Sequence, residues 1–278
     1  MFRIRKITNP YLEGNKHAME RIKEIIRLQF PGILEKQIAD ISTQMINPLK
    51  ARYHTSIVIA DDLHGNIRGF AILLFMSDLK FCYLDLMSVT PGRATSGVGG
   101  AIYEKIREEA ASLDTIGIFY ECLPDDPALC RDKSFINLNM KRLAFYERYG
   151  AYPIINTLYE QPVKGEDDCP PYLVYDDLGT MKPLPSKDLK KIYRAILERK
   201  YKNYCPVEYV NMVVESVRNE VREYPQKHIL EIHDHGYLNY FKRVCAGLKP
   251  GKSVYPYVFP IRNATRPPKE LSVRAGYY

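Results

Sequence analysis

The chain has 278 residues, 46% of them hydrophobic and 26% charged, which excludes a wholly disordered polypeptide and leaves room for two domains. No apolar run approaches the roughly 18 residues of a membrane-spanning helix, and the N-terminal residues lack the apolar core of a secretory signal. The net charge of +7 is unevenly spread: residues 1–180 carry 21 Lys and Arg against 24 Asp and Glu, and residues 181–278 carry 19 against 9. Such a split points to two units with different surfaces, and it disfavours reading the whole chain as a nucleic-acid binder.

In chain order, residues 2–8 alternate as a strand does. Residues 15–28 carry Ile22, Ile25 and Ile26 at helical spacing, and 34–45 form a second short helix. Three strand-like runs follow at 56–60, 69–75 and 81–89. Polar turns separate them, so they are predicted to form an antiparallel meander. Residues 99–113 are helical, with Ile102, Ile106, Ala110 and Leu113 on one stripe. A strand at 116–121, a helix at 138–149 ended by Gly150, and a strand at 172–178 complete this half. Residues 179–185 read as a linker. Helices are expected at 187–201 and 207–223, before a Pro- and Tyr-rich end. The order predicts a mixed α/β layer and not a doubly wound parallel sheet.

The most informative segment is LDLMSVTPGRATSGVGGAI, residues 84–102. A strand ends at Val89. A turn of small residues then leads into an amphipathic helix. Glycines let backbone N–H groups approach phosphate oxygens, and a helix N-terminus adds partial positive charge. The Lys-Ser/Thr of a P-loop is missing, which disfavours a nucleotide triphosphatase.

These residues resemble the GNAT superfamily of acetyl-CoA-dependent N-acetyltransferases. Val89, Pro91, Gly97 and Gly99 fall at the spacing of the family's phosphate-binding pattern, while Arg93 stands one residue early and Ala94 occupies the arginine's slot. A second segment, NMKRLAFYERYGA at 139–151, resembles the family's Asn-x6-Tyr-Glu-x-x-Gly-Phe motif through Asn139, Tyr146 and Gly150, with Ala151 in the place of the Phe. The resemblance covers about residues 1–180. It implies a GNAT acyltransferase fold of α/β (α+β) class: a mixed, mainly antiparallel sheet flanked by helices, followed here by a helical C-terminal extension.

The resemblance also implies a site. Met87 and Val89 would meet the pantetheine arm of acetyl-CoA where two strands splay. The backbone of Arg93, Ala94, Thr95, Ser96, Gly97, Val98, Gly99 and Gly100 would hold the pyrophosphate, and Asn139 belongs to the same cofactor-binding set. Tyr146 matches the family's proton donor to the leaving thiolate. Its neighbours Phe145 and Tyr149 also fit a tyrosine that only packs. Asp85 and then Glu121 are the candidate bases or cation-holding carboxylates, each weighed against an ordinary strand carboxylate. Asp125 and Asp126 read as a loop turn. Cys122 reads as a buried strand cysteine and not as a nucleophile.

The six cysteines contain no CxxC pair and read as reduced thiols of a cytoplasmic protein. His233 and His235 flank Asp234, but no further ligand completes a metal site, so no metal is expected. Residues 207–278 resemble the N-terminal part of acetylpolyamine amidohydrolases, which are histone-deacetylase-like, in the pieces IHDHGYLNYF (232–241), VFPIR (258–262), RPP (266–268) and RAGYY (274–278). That family's zinc ligands lie beyond this match. The expected organisation is a transferase domain over 1–180, a linker and helix over 181–206, and a basic extension over 207–278 that mediates association or a homodimer. The expected activity is acetyl transfer to a primary amine, such as a polyamine or lysine, with no membrane partner. The alternative is a non-catalytic CoA-binding or scaffold module whose basic tail contacts protein or nucleic acid.

Overall fold

The computed structural model describes residues 2–90, 97–127, 129–130, 133–154, 157–160, 169–202 and 204–217. Pro91, Arg93, Ala94, Thr95 and Ser96 fall outside the described residues, as does everything after residue 217, including both histidines and the amidohydrolase-like pieces.

Seven strands form one sheet in the order β1-β2-β3-β4-β5-β7-β6. They are β1 (Phe2–Ile7), β2 (His54–Asp62), β3 (Ile67–Met76), β4 (Phe81–Val89), β5 (Ile118–Cys122), β6 (Tyr152–Ile154) and β7 (Tyr172–Asp176). The pairings β1–β2, β2–β3, β3–β4 and β6–β7 are antiparallel, and β4–β5 is parallel. The expected class, a mixed and mainly antiparallel sheet flanked by helices, is what the chain forms. The predicted meander is β2–β3–β4, and β4 spans the expected residues. Strand β6 went unforeseen because it is three residues long with Pro153 at its centre, too short to alternate.

The described residues divide into two compact units, one over residues 2–120 and one over 121–217. In the first, helices α1 (Glu13–Gln29), α2 (Glu35–Ile46) and α4 (Val98–Ser112) pack on the strands, and a single turn, α3 (Pro48–Ala51), leads into β2. The buried stripe of α1, from Ala18 through Ile26, and that of α4, from Val98 through Ala110, are the apolar faces set by helical spacing. Strands β2 to β4 are buried along most of their length, which explains why they are apolar on successive residues and not on alternate ones.

At Gly69 of β3, side chains of α4 pack tightly onto the sheet. A Cβ there would stand 2.8 Å from the carbonyl oxygen of Ser88 and 2.9 Å from Cδ1 of Ile102. Only a glycine lets the first turn of α4 lie this near the end of β4.

In the second unit, α5 (Lys133–Glu147), α6 (Ser186–Ala195) and α7 (Val207–Glu215) accompany β6 and β7. The last turn of α6 widens into a π-helical turn, Ile196–Lys200. Leu189, Ile192, Tyr193, Ile196 and Leu197 are fully buried, so the residues after 185 contribute to the core of this unit.

Candidate active site

Strand β4 carries the first part of the site. Its ladder with β3 pairs Leu86 with Ile72 and then Leu84 with Leu73, which leaves Asp85 as the extra residue of a β-bulge. A bulge bends the strand and re-aims the side chain at that position. Asp85 and Met87 are half-buried in a strand whose other residues are buried. Asp85 also acts electrostatically on Tyr53, whose phenol is held above its ordinary pKa mainly by burial and secondly by this carboxylate.

The parallel ladder joining β4 to β5 covers Cys82 with Ile118 and Tyr83 with Phe119. The Cys82 N–H also donates to the Gly117 carbonyl at 3.0 Å. The rest of β4, Leu84 to Val89, extends past this ladder. Its end is fixed from the other side by α1: Gln29 Nε2 donates to the Val89 carbonyl at 3.5 Å, and Ser88 Oγ donates to Gln29 Oε1.

Helix α4 begins just beyond. Gly97 is its N-cap, at φ +73°, in the left-handed region that non-glycine residues enter only with strain. Among the described residues, no side chain caps this end. The first intrahelical bond is Ala101 N–H to the Gly97 carbonyl, 3.0 Å. The N–H groups of Val98, Gly99 and Gly100 therefore precede the first i−4 acceptor, as the opening donors of any helix do. A helix start with glycines and no capping side chain suits an anion, because donors and the positive end of the helix dipole face one region. The residues present thus fit the pyrophosphate of acetyl-CoA.

The second unit holds the remaining candidates. Tyr146 lies on α5 and is 8% exposed. Burial raises its phenol pKa well above the ordinary value, with a smaller push from Cys122 and an opposing pull from Arg142. The phenol therefore keeps its proton at neutral pH. The ring also packs edge-on to Phe145, centroids 5.0 Å apart. Cys122 is buried, and burial pushes its thiol up to about 12. That suits the packing role and not a nucleophile.

Glu121, at the end of β5, is 7% exposed. Tyr159 Oη donates to its Oε1, and Tyr201 Oη donates to its Oε2 at 2.7 Å. Two phenols thus fix the carboxylate's orientation. Neither tyrosine stands out in a sequence with 22 of them.

Asn139 is 1% exposed, and its Nδ2 donates to the Pro124 carbonyl at 2.8 Å. It anchors the β5–α5 connection to α5. Asp125 and Asp126, read from sequence as a loop turn, are both buried. The Asp126 carbonyl does close a turn, accepting from Leu129 N–H at 3.1 Å and Cys130 N–H at 3.0 Å.

One expectation needs correction. Not all cysteines are isolated thiols: Cys130 and Cys169 form a disulfide, with Cα atoms 4.2 Å apart. Their sequence separation of 39 hid the pairing, since only the fold brings the loop before α5 to the approach of β7. The Cys169 N–H donates to the Leu129 carbonyl at 3.0 Å, a backbone link beside the covalent one. Cys82 and Cys122 are free, buried thiols.

Among the described residues, no group of three His, Cys, Asp or Glu could hold a metal ion. No described helix is long and apolar enough to cross a membrane.

No family model matches the sequence, and neither does any curated protein. Among solved structures, the chain is similar to Tetrahymena GCN5, at 12% identity over 63% of this chain and 96% of that one, TM-score 0.44. It is similar to an aminoglycoside 6'-N-acetyltransferase complexed with coenzyme A, at 18% identity over 66% and 99%, TM-score 0.48. It is likewise similar to the aminoglycoside 6'-N-acetyltransferase from Enterococcus faecium, at 16% identity over 66% and 99%, TM-score 0.45.

Proposed function

We propose that this protein is an acetyl-CoA-dependent N-acetyltransferase that acts on a primary amine. The observation that carries the reading is the start of α4. Gly97 at φ +73° opens a helix that no described side chain caps, and the strand before it in the chain order is bulged and extends past its ladder with β5. This is a place built for an anion beside a strand with backbone to offer.

In this reading, acetyl-CoA supplies the activated acetyl thioester. The N–H groups of Val98, Gly99 and Gly100 bind its pyrophosphate, together with those of residues 93–96. Met87 and Val89 of β4 hold the pantetheine arm, and a backbone N–H there polarises the carbonyl, as an oxyanion hole does. Asn139 supports cofactor binding through the connection it anchors at Pro124.

The acceptor must present a neutral nitrogen, so a base or a water chain removes a proton. Asp85 is the first candidate for that work, because the bulge gives it an orientation of its own. Glu121 is the second, and its two phenols hold it in one place. Tyr146 gives a proton to the departing thiolate. Its phenol carries its proton at working pH, as a donor must, although burial makes it a weaker acid than a free tyrosine. The transfer proceeds by direct attack, without a cysteine intermediate. The basic residues after 180 favour a role in association.

Calorimetric titration of the full chain with acetyl-CoA tests the reading, followed by a screen of amines for release of free thiol. Binding with turnover on an amine is expected, as is a drop of about 100-fold in kcat for Tyr146→Phe. Absence of acetyl-CoA binding overturns the proposal. Binding without turnover on any amine assigns the chain to the non-catalytic class.

A further inference from the structure

Between β5 and α5 the chain carries an arrangement that the turn it forms does not explain. Asp125 is 2% exposed, and neither of its carboxylate oxygens has a hydrogen-bond partner in another residue. Asn139 is 1% exposed, and its Oδ1 is likewise without a partner. The two side chains belong to one piece of structure, because Asn139 Nδ2 donates to the carbonyl of Pro124, the residue before Asp125. The same connection is secured at its far end by the Cys130–Cys169 disulfide and by the Leu129 carbonyl.

Buried polar atoms are nearly always satisfied, and each exception calls for a physical reason. Here the three unsatisfied atoms have the same character: all are acceptors, two of them on an ionisable carboxyl. An occupant that completes them must bring donors and positive charge. Burial pushes the Asp125 carboxyl up to about 6, against a hydrogen bond from its own backbone N–H and with a smaller push from the neighbouring Asp126.

A protonated amine meets these requirements, with up to three N–H donors and a full positive charge. A metal ion meets them less well, since no third carboxylate, histidine or cysteine completes a ligand set among the described residues.

We propose that Asp125 and Asn139 Oδ1 form a subsite for an alkylammonium group. The inference rests on the transferase reading above and sharpens its acceptor to a diamine, one of whose nitrogens stays protonated and is held at Asp125. The Asp125 carboxylate gives charge-assisted acceptance, and the Asn139 amide oxygen receives a further N–H.

The test is calorimetric titration of the full chain with 1,4-diaminobutane, with 1,4-butanediol as the uncharged analogue and Mg²⁺ as the competing cation. The wild-type protein is expected to bind the diamine and not the diol. Asp125→Asn keeps the shape and removes the charge, and is expected to weaken diamine binding about tenfold or more while leaving acetyl-CoA binding unchanged. Equal affinity in Asp125→Asn, equal binding of the diol, or displacement of the diamine by Mg²⁺ at similar concentration would overturn the proposal.

A second readout uses the wild-type protein labelled with ¹³C at aspartate carboxyls. The Asp125 signal is assigned by its loss in Asp125→Asn or in Asp125→Glu, whichever variant folds. That signal is expected to shift on adding diamine, and an unmoved signal under binding conditions refutes the subsite. The two proposals fail separately. Acetyl-CoA binding without Asp125-dependent diamine binding removes the subsite alone. Asp125-dependent diamine binding without acetyl-CoA binding removes the transferase reading and leaves the subsite.

Discussion

The phenol of Tyr201 donates to the carboxylate of Glu121 at 2.7 Å, across 80 positions of sequence. With Tyr159 on the other oxygen, this makes Glu121 a fixed carboxylate inside the second unit. Removing one phenol hydroxyl leaves a buried charge short of a donor. Tyr201→Phe is expected to destabilise the fold by about 1.5–3 kcal/mol, read from the urea midpoint. If Glu121 is also the base, the variant should change the pH profile of kcat. A purely structural role would leave that profile in place.

Two glycines make separable predictions in the first unit. Gly69→Ala places a methyl 2.8 Å from a backbone oxygen, which cannot step aside as a flexible side-chain end can. A loss of about 1–3 kcal/mol in unfolding free energy is expected. Gly97→Ala meets no atom within 4 Å, so its cost is only that of the left-handed backbone, about 1–2 kcal/mol. That strain falls on the start of α4. Acetyl-CoA affinity should therefore drop more in Gly97→Ala than in Gly69→Ala, whichever of the two is the less stable protein.

Asp125 predicts a pH dependence with a definite sign. Burial pushes its carboxyl up to about 6, above the ordinary range of an aspartate, so the folded protein holds this proton more tightly than the unfolded chain. The burial cost is fully felt above pH 6 and fades as pH falls from about 6 to about 4. Its size is about 3 kcal/mol, from the two-unit difference. Wild-type stability minus that of Asp125→Asn should therefore rise as pH falls through this window. A flat difference between pH 7 and pH 4 counts against the raised value.

The Cys130–Cys169 bond closes a loop of 39 residues in sequence separation. On loop entropy alone this is worth about 4 kcal/mol in favour of the folded state. Cys130→Ser is expected to lower the urea midpoint toward that of the wild-type protein under dithiothreitol, and dithiothreitol should leave the variant unchanged. Equal midpoints for the wild-type protein with and without reductant would show that the bond does not form.

The strands and helices of the first unit were readable because their signals are local. Strand β4 is a continuous apolar run, α4 has a clean stripe from Ile102 to Ala110, and the glycines before it mark its start. The resemblance to the acetyltransferases likewise rests on short ordered motifs, around Gly97 and around Asn139 and Tyr146.

Long-range relations left no such trace. The bulge at Asp85 exists only in the register of β3 against β4. The partners of Glu121 come from residues 159 and 201, and Cys169 meets Cys130 across a loop that contains α5. Asp125 read as turn chemistry because an Asp beside a Pro usually is one, and its burial without a partner is a property of the packed chain. Sequence by itself determined the element order, the helix faces and the glycines at the start of α4, since periodicity and backbone conformation are set by neighbouring residues. Tertiary structure alone decided which carboxylates are fixed, which is left without a donor and which cysteines pair, because burial and partnership depend on residues far apart in the chain.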